Sequence, residues 1–204
     1  MAPLGRRSAA RALCFGLATL ALAGCRSLLG LEAAPTRSFV LSPVSSPAPG
    51  VAAAPAKIVG ILPVSLPEYL ERSSIVTRSS DEELALSSRD LWAEGLGQGL
   101  SRVLAENLAQ LRTDVTVKQF PWRRTAPFDA YVHVDVRRFD GALGGDVVLD
   151  AQWVVYASDG TTVLALRRAS FVDRAAETGY QAYAAAMSRA AGRLSEAIAE
   201  TIPR

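Results

Sequence analysis

The groups in this chain able to do chemistry are few: one histidine (His133), two cysteines (Cys14 and Cys25) and a knot of aspartates at positions 135, 140, 146 and 150. A serine hydrolase needs a base, an orienting carboxylate and a placed nucleophile. Here His133 stands in the middle of an alternating stretch, and no G-x-S-x-G elbow presents a serine. It reads as a solvated or pocket-lining side chain. Zinc and iron sites need several His or Cys ligands, which a chain with one histidine lacks. The four aspartates do not keep the spacing of a calcium loop, and their place around one hairpin reads as solvation of strands and turn. Gly95-Leu96-Gly97-Gln98-Gly99 is glycine-rich, but its spacing departs from the dinucleotide fingerprint and no strand leads into it. The expectation is a non-catalytic chain with no metal and no cofactor.

Cys25 is the exception. It follows Leu22-Ala23-Gly24 at the end of an apolar run, Ala12 to Ala23, which is itself preceded by Arg6, Arg7 and Arg11. A basic start, an apolar middle and small residues at the end describe a secretory signal. The run is shorter than the roughly 20 apolar residues that a transmembrane helix needs. A cysteine directly after Ala-Gly resembles the lipobox of bacterial lipoproteins, in which the sulfur receives a diacylglycerol and cleavage leaves the lipidated cysteine first. The alternative is an ordinary cleavable signal with a chance cysteine. With lipid on Cys25, placement follows from physics: each buried methylene contributes about 0.8 kcal/mol, one chain is a marginal tether, and two or more hold firmly. Arg26, rather than Asp, follows the cysteine, which in Gram-negative lipoproteins suggests transfer to the outer membrane.

Cleavage changes the charge account. Residues 1–24 hold three arginines and no acid, so 22 Lys+Arg fall to 19 against 20 Asp+Glu, a formal charge of −1. The basicity belongs to the signal, and no nucleic-acid footprint remains. Cys14 leaves with the signal and Cys25 is consumed by lipid, so no disulfide is available although the periplasm permits one. The remaining 180 residues suit one domain and a tether.

Residues 25–36 (CRSLLGLEAAPT) show no strand pattern and read as a lipidated tether; the eleven after the cysteine reach at most about 35–40 Å. The domain is expected over 37–204. Arg37 to Leu41 is a short strand, and 43–56 is a Pro/Ala-rich loop. Lys57 to Val64 is a dense apolar strand stopped by Pro63 and Pro67. Ser74 to Arg78 and Glu83 to Ser87 are two more.

Asp90 to Leu111 reads as an amphipathic helix: Trp92, Leu96, Leu100, Val103, Leu104, Leu108 and Leu111 recur at spacings of three and four. Asp90 is its expected cap. Gly95, Gly97 and Gly99 cost it about 1 kcal/mol each relative to alanine and let a neighbour approach closely. Asp114 to Phe120 alternates, and Asp129 to Phe139 does so more strictly, with Ala130, Val132, Val134 and Val136 on one face. A turn at Gly141 to Asp146, a strand Val147 to Tyr156, a turn at Ser158-Asp159-Gly160 and a strand Thr162 to Val172 complete a meander. Gly179 to Ile202 is an alanine-rich helix with Tyr180, Tyr183, Met187, Ala191, Leu194 and Ile198 as its apolar stripe. These elements predict an α+β fold: a mixed, largely antiparallel sheet with two main amphipathic helices packed on one face. Trp92 and Trp153 fall on apolar faces and are expected in the core.

Several segments together carry a resemblance. They are Phe39-Val40-Leu41-Ser42-Pro43, then Val59-Gly60 with Val64, Leu66-Pro67, Tyr69-Leu70 and Arg72, and then Ile75 to Arg78. Trp92 to Glu94, Arg102 to Leu108, Pro121-Trp122 and Val134 to Gly141 follow. With the lipobox, the chain resembles the ABC-type transport auxiliary lipoproteins, the PqiC (YmbA)-like family. It departs at Gly95, where that family often has Pro, which bears on where the helix begins.

The resemblance implies an outer-membrane lipoprotein facing the periplasm. Its implied partners are an ABC/permease transporter of the inner membrane and an MCE-domain protein that bridges the envelope. It also implies a homo-oligomeric ring in some relatives. The leading expectation is a docking adaptor for intermembrane lipid transport. The alternatives are a domain that itself carries lipid between helices and sheet, and an envelope-assembly chaperone or pilot. Pro67, Tyr69, Leu70 and Arg72 are the expected partner contacts, since apolar groups beside a charge suit an interface. The competing reading is that Tyr69 and Leu70 cap the core.

Overall fold

The structure, a computed structural model, describes residues 35–44, 57–122 and 127–203. The expectations for the signal, Cys25, the tether up to residue 34 and the loop over 45–56 therefore lie outside the described residues. Thr36–Arg204 forms one compact unit and is described by itself.

Among the described residues, eight strands and two long helices follow in order: β1 Arg37–Phe39, β2 Lys57–Ile61, a 3-10 turn Glu68–Leu70, β3 Ser74–Arg78, β4 Leu84–Trp92, α1 Leu96–Leu111, β5 Val115–Gln119, β6 Ala130–Gly141, β7 Asp146–Ala157, β8 Val163–Arg174 and α2 Tyr180–Ala199. The fold is α+β. The strands divide between a three-stranded sheet, β1-β4-β3, and a five-stranded one, β5-β2-β6-β7-β8. The meander β6-β7-β8 is antiparallel, whereas β2 runs parallel to both β5 and β6. The parallel pairing of β2 and β5 requires a crossover, and α1 supplies it. Gly144 and Gly160 sit at the two meander turns with φ of 71° and 68°, a region that an L side chain rarely adopts.

The alternation of β6 places Val132, Val134 and Val136 on the covered face. Opposite them Val155, Trp153 and Ala151 of β7 are equally buried, as are Leu149 and Val147 further along the strand. Leu100, Val103, Leu104 and Leu108 of α1, with Tyr183, Met187, Leu194 and Ile198 of α2, complete this core. Each fully buried aliphatic side chain stabilises the fold by about 1.5–3 kcal/mol. Trp92 and Trp153 belong to the core, as expected. Leu111, the last residue of its helix, remains 39% exposed.

One boundary differs from the pattern in the sequence. The helix begins at Leu96 rather than Asp90, and β4 continues through Trp92. Strand β4 is paired on both sides, by β1 and by β3, so ladder bonds hold residues 84–92 extended. Asp90 caps no helix. Its carboxylate accepts from Arg37 Nε at 2.7 Å and from Ser87 Oγ at 3.1 Å. Trp92 keeps helical spacing with Leu96 only because the end of the strand and the helix face bury into the same core.

Residues 41–44 form a strap over the helices. Arg102 donates to the Leu41 carbonyl at 2.8 Å, Ser42 N–H donates to Ser188 Oγ, and Val44 N–H donates to Asn107 Oδ1. Asn107, fully buried, in turn donates to Ser195 Oγ at 3.1 Å. Gly192 lets the strap lie close: a Cβ there would stand 3.1 Å from the Val44 side chain.

Candidate functional site

Two features stand out around the segment between β2 and β3. The first is a cleft of about 750 Å³ at the start of α1. Pro63, Val64 and Leu66 line it from the β2 side, Trp92 and Leu96 from the floor, and Phe120 with Pro121 from the turn after β5. The glycines of α1 serve this geometry. At Gly97 a Cβ would come within 3.3 Å of Leu66, while at Gly95 it would meet nothing within 4 Å. Ser101 joins the walls, donating to the Gly97 carbonyl and accepting from Val64 N–H at 3.2 Å. Glu71, Arg72, Glu94 and Gln98 supply the polar rim. Glu94 is neutralised by Arg102, whose Nη2 stands 2.5 Å from it. Glu71 and Arg72 are exposed and make no side-chain hydrogen bond or ion pair among the described residues. The start of α1 carries no side-chain cap and no acid in its first turn.

Beside the cleft, Phe120, Trp122, Phe128 and Tyr131 pack ring against ring in sequence, the first pair edge-on and the others tilted, with centroids 5.3, 4.6 and 5.2 Å apart. Gly60 lies beneath them, where a Cβ would stand 3.0 Å from Trp122. Phe120 keeps 47% of its surface exposed.

The second feature is Asp140, whose side chain is wholly buried and accepts from three groups. Arg78 donates through Nε at 2.7 Å and Nη2 at 3.0 Å, Tyr69 Oη donates at 2.7 Å, and Arg138 Nε donates at 2.9 Å. Burial alone pushes this carboxyl upward, but the bonds from Arg78, Tyr69 and Arg138 outweigh it and hold it below the usual carboxylate range. Burial, with the bond to Asp140, pushes the Tyr69 phenol up to about 12. Tyr183 moves the same way through burial and the nearby Asp140 charge; its hydroxyl donates to the Val76 carbonyl at 2.9 Å. The arrangement pins the 3-10 turn and β3 to β6. It is a structural clamp with every lone pair directed at an internal donor.

The residues expected to touch a partner separate in this geometry. Leu70 is 3% exposed and belongs to the core, Tyr69 is half-buried and tied to Asp140, and Pro67 is half-buried. Arg72 alone of the four lines the cleft. Asp140 corrects the reading of the aspartates as solvated: Asp135 is exposed, but Asp140 is the centre of the clamp. His133 stays on the open face with Nε2 3.3 Å from Ser65 Oγ. Phe120 and Pro121 escaped notice as site residues, although a Phe-Pro-Trp run straight after a strand is a signal of a rigid aromatic wall. Among the described residues no group of three His, Cys, Asp or Glu could hold a metal ion.

Comparison with known proteins agrees on one relationship. Residues 39–199 match the family model described as ABC-type transport auxiliary lipoprotein component. The intermembrane transport lipoprotein PqiC of Escherichia coli K12 is 26% identical over 139 residues, 68% of this chain and 71% of that relative. An uncharacterized protein of known crystal structure has a TM-score of 0.68 at 20% identity, covering 83% of this chain and 99% of its own. Protein XCC0632 from Xanthomonas campestris has a TM-score of 0.65 at 16% identity, covering 80% and 93%. These two structures show a shared fold. Since the family match runs from the end of β1 to the end of α2, the chain belongs to the ABC-type transport auxiliary lipoprotein component family.

Proposed function

We propose that this protein is a non-catalytic lipoprotein anchored in the outer membrane through lipid on Cys25, its body facing the periplasm. There it docks the periplasm-spanning MCE-domain protein of an ABC/permease system that moves lipid between membranes. The observation that carries this reading is the pairing, in one chain, of Cys25 behind Leu22-Ala23-Gly24 with a body that matches the family over 39–199. The name of the relative, an intermembrane transport lipoprotein, supports the transport role. Arg26 in place of an aspartate supports the outer membrane. No helix among the described residues is long and apolar enough to cross a membrane, so this reading relies on the lipid for attachment.

Docking needs a rigid platform, and the Asp140 clamp supplies one by fixing the segment that carries Pro67 and Arg72. Edge strand β8 leaves Leu164, Leu166 and Val172 about half exposed, which supports contact between copies in a homo-oligomeric ring. The test is capture of the full chain from crosslinked, detergent-solubilised envelopes. Recovery of an MCE-domain protein is the expected result, and its absence from a capture that retains the lipidated chain overturns the adaptor reading.

A further inference from the structure

We propose that the open half of the β8 edge, Leu166 to Ser170, receives an extended strand of another protein in which apolar residues alternate with acidic ones. Strand β8 is the last of its sheet and pairs with β7 on one side only. On its other side the main-chain groups of every second residue point outward. Val172 and Arg174 belong to that outward set, because arginines of α2 reach their carbonyls. Arg193 Nη2 donates to the first and Arg189 Nη2 to the second, the latter at 2.9 Å. By the same period of two, the outward set continues at Ser170, Arg168 and Leu166.

An exposed edge is a template for a further strand, and folded proteins commonly cover it. Here the cover is partial. Asp173 holds both arginines over the 172–174 end. Among the described residues no other segment bonds the outward N–H groups of Leu166, Arg168 and Ser170, or the carbonyls of Arg168 and Ser170.

The occupant is selected first by the main chain. Donors and acceptors recur two residues apart, about 7 Å along the strand, a spacing that another extended main chain meets in register. The side chains then choose among strands. Residues directly opposite each other across an antiparallel pair share a face. Leu166, about half exposed, stands on the open face beside Val154, so residues opposite the even-numbered positions are best apolar. Arg167 stands on the other face. It is exposed, makes no ion pair among the described residues and lies back on the Leu166 carbonyl at 2.9 Å. An acid across from it gives the guanidinium a carboxylate and frees that carbonyl for an incoming N–H. A second copy of this chain is the poorer occupant, since symmetric pairing centred on the open half sets Arg168 against its own counterpart. The leucine side chains project from the face of the sheet, away from these main-chain groups, so contact between copies in a ring uses another side of β8.

The test uses the full chain purified in detergent and a fluorescent, end-blocked peptide, Thr-Val-Glu-Val-Glu-Val-Thr, followed by anisotropy. The peptide is expected to bind, and more weakly as salt is raised. N-methylation of its valines, whose N–H groups face β8, should weaken binding by at least about tenfold, and N-methylation of its glutamates should not. Ser170→Pro removes an outward N–H where an edge strand tolerates proline, and should weaken binding by a similar factor without moving the urea midpoint. Arg167→Glu serves if that variant folds poorly. It should lower binding about two- to fivefold or more and favour the counterpart peptide with lysine for glutamate. Binding that ignores N-methylation of the valines overturns the edge as the site. Equal binding of the two peptides by the parent overturns the acidic assignment. No binding by the parent overturns the proposal, and does so in favour of a second copy if Ser170→Pro dissolves larger assemblies. No MCE-domain protein is present, so failure of the adaptor reading would leave this result standing.

Discussion

Arg78 grips Asp140 with two nitrogens, Nε on Oδ1 at 2.7 Å and Nη2 on Oδ2 at 3.0 Å, across 62 residues of sequence. The same guanidinium donates to the Asp81 carbonyl at 2.8 Å, so the β3–β4 turn is folded into the grip. Strand β3 belongs to the small sheet and β6 to the large one, and this pair spans them. A carboxylate with no exposed surface is stable only while its donors remain.

Removing one partner leaves charge buried without compensation. Arg78→Ala is expected to destabilise the protein by about 3–5 kcal/mol, read as a fall in the urea midpoint. Arg174→Ala is the control: its 3.7 Å pair with Asp146 is largely exposed, and the expected change is under about 0.5 kcal/mol. Equal losses in the two variants would contradict the clamp.

The clamp also sets both ends of the pH–stability profile. Asp140 sits below its unfolded value of about 3.9, so its stabilisation is present above that pH and fades as pH falls further. The Tyr69 phenol has the opposite sign. Raised to about 12 from an ordinary 10.0, its contribution is complete below pH 10 and is lost as pH climbs from 10 to 12. Urea midpoints measured at several pH values should show both limbs. Tyr69→Phe should flatten the alkaline limb in part, Tyr183 supplying the remainder, and should cost about 1.5–3 kcal/mol at neutral pH for the lost bond to a charged group.

Much of this fold is written in periodicity. The strict alternation of 130–136 and the three-and-four spacing of 96–108 and 180–198 each name a buried face, because burial of a surface element repeats with its own geometry. The clamp is not written that way. A bulge between Val136 and Arg138 breaks the alternation, so Phe139 rather than Arg138 takes the place opposite Leu149. Asp140 then meets Tyr69 and Arg78, contacts between residues more than sixty positions apart that local pattern cannot carry. The start of α1 was hidden for a related reason: Asp90 has the chemistry of a helix cap, and only its pairing with Arg37 shows otherwise. The cleft depends on Gly97, which in sequence looks like a weak point of a helix and in space leaves room beside Leu66.

The strap over the helices follows directly on β1. A Cβ added at Gly192 would stand 3.1 Å from the Val44 side chain, so a larger group would have to push it aside. Gly192→Leu is expected to lift residues 42–44, break the bonds to Ser188 and Asn107, and destabilise by about 1–3 kcal/mol through overpacking. Hydrogen exchange at Ser42 and Val44 N–H, slow in the parent protein and fast in the variant, checks it. Unchanged protection there would mean the strap is held by Leu41 and Arg102 alone.

Everything proposed about placement requires chemistry at one sulfur. Serine is close to cysteine in shape but offers a hydroxyl, so Cys25→Ser tests that chemistry with the smallest change in the signal. Labelled fatty acid should enter the parent chain and not the variant. The parent should fractionate with outer membranes and resist salt extraction, because at about 0.8 kcal/mol per methylene several chains hold where one does not. The variant should keep residues 1–24, migrate as the larger precursor and disappear from the outer-membrane fraction, while the folded body retains the parent's urea midpoint. A variant that still takes up fatty acid, or a parent that washes free in salt, would remove the anchor from the proposed function and leave only the family and the fold.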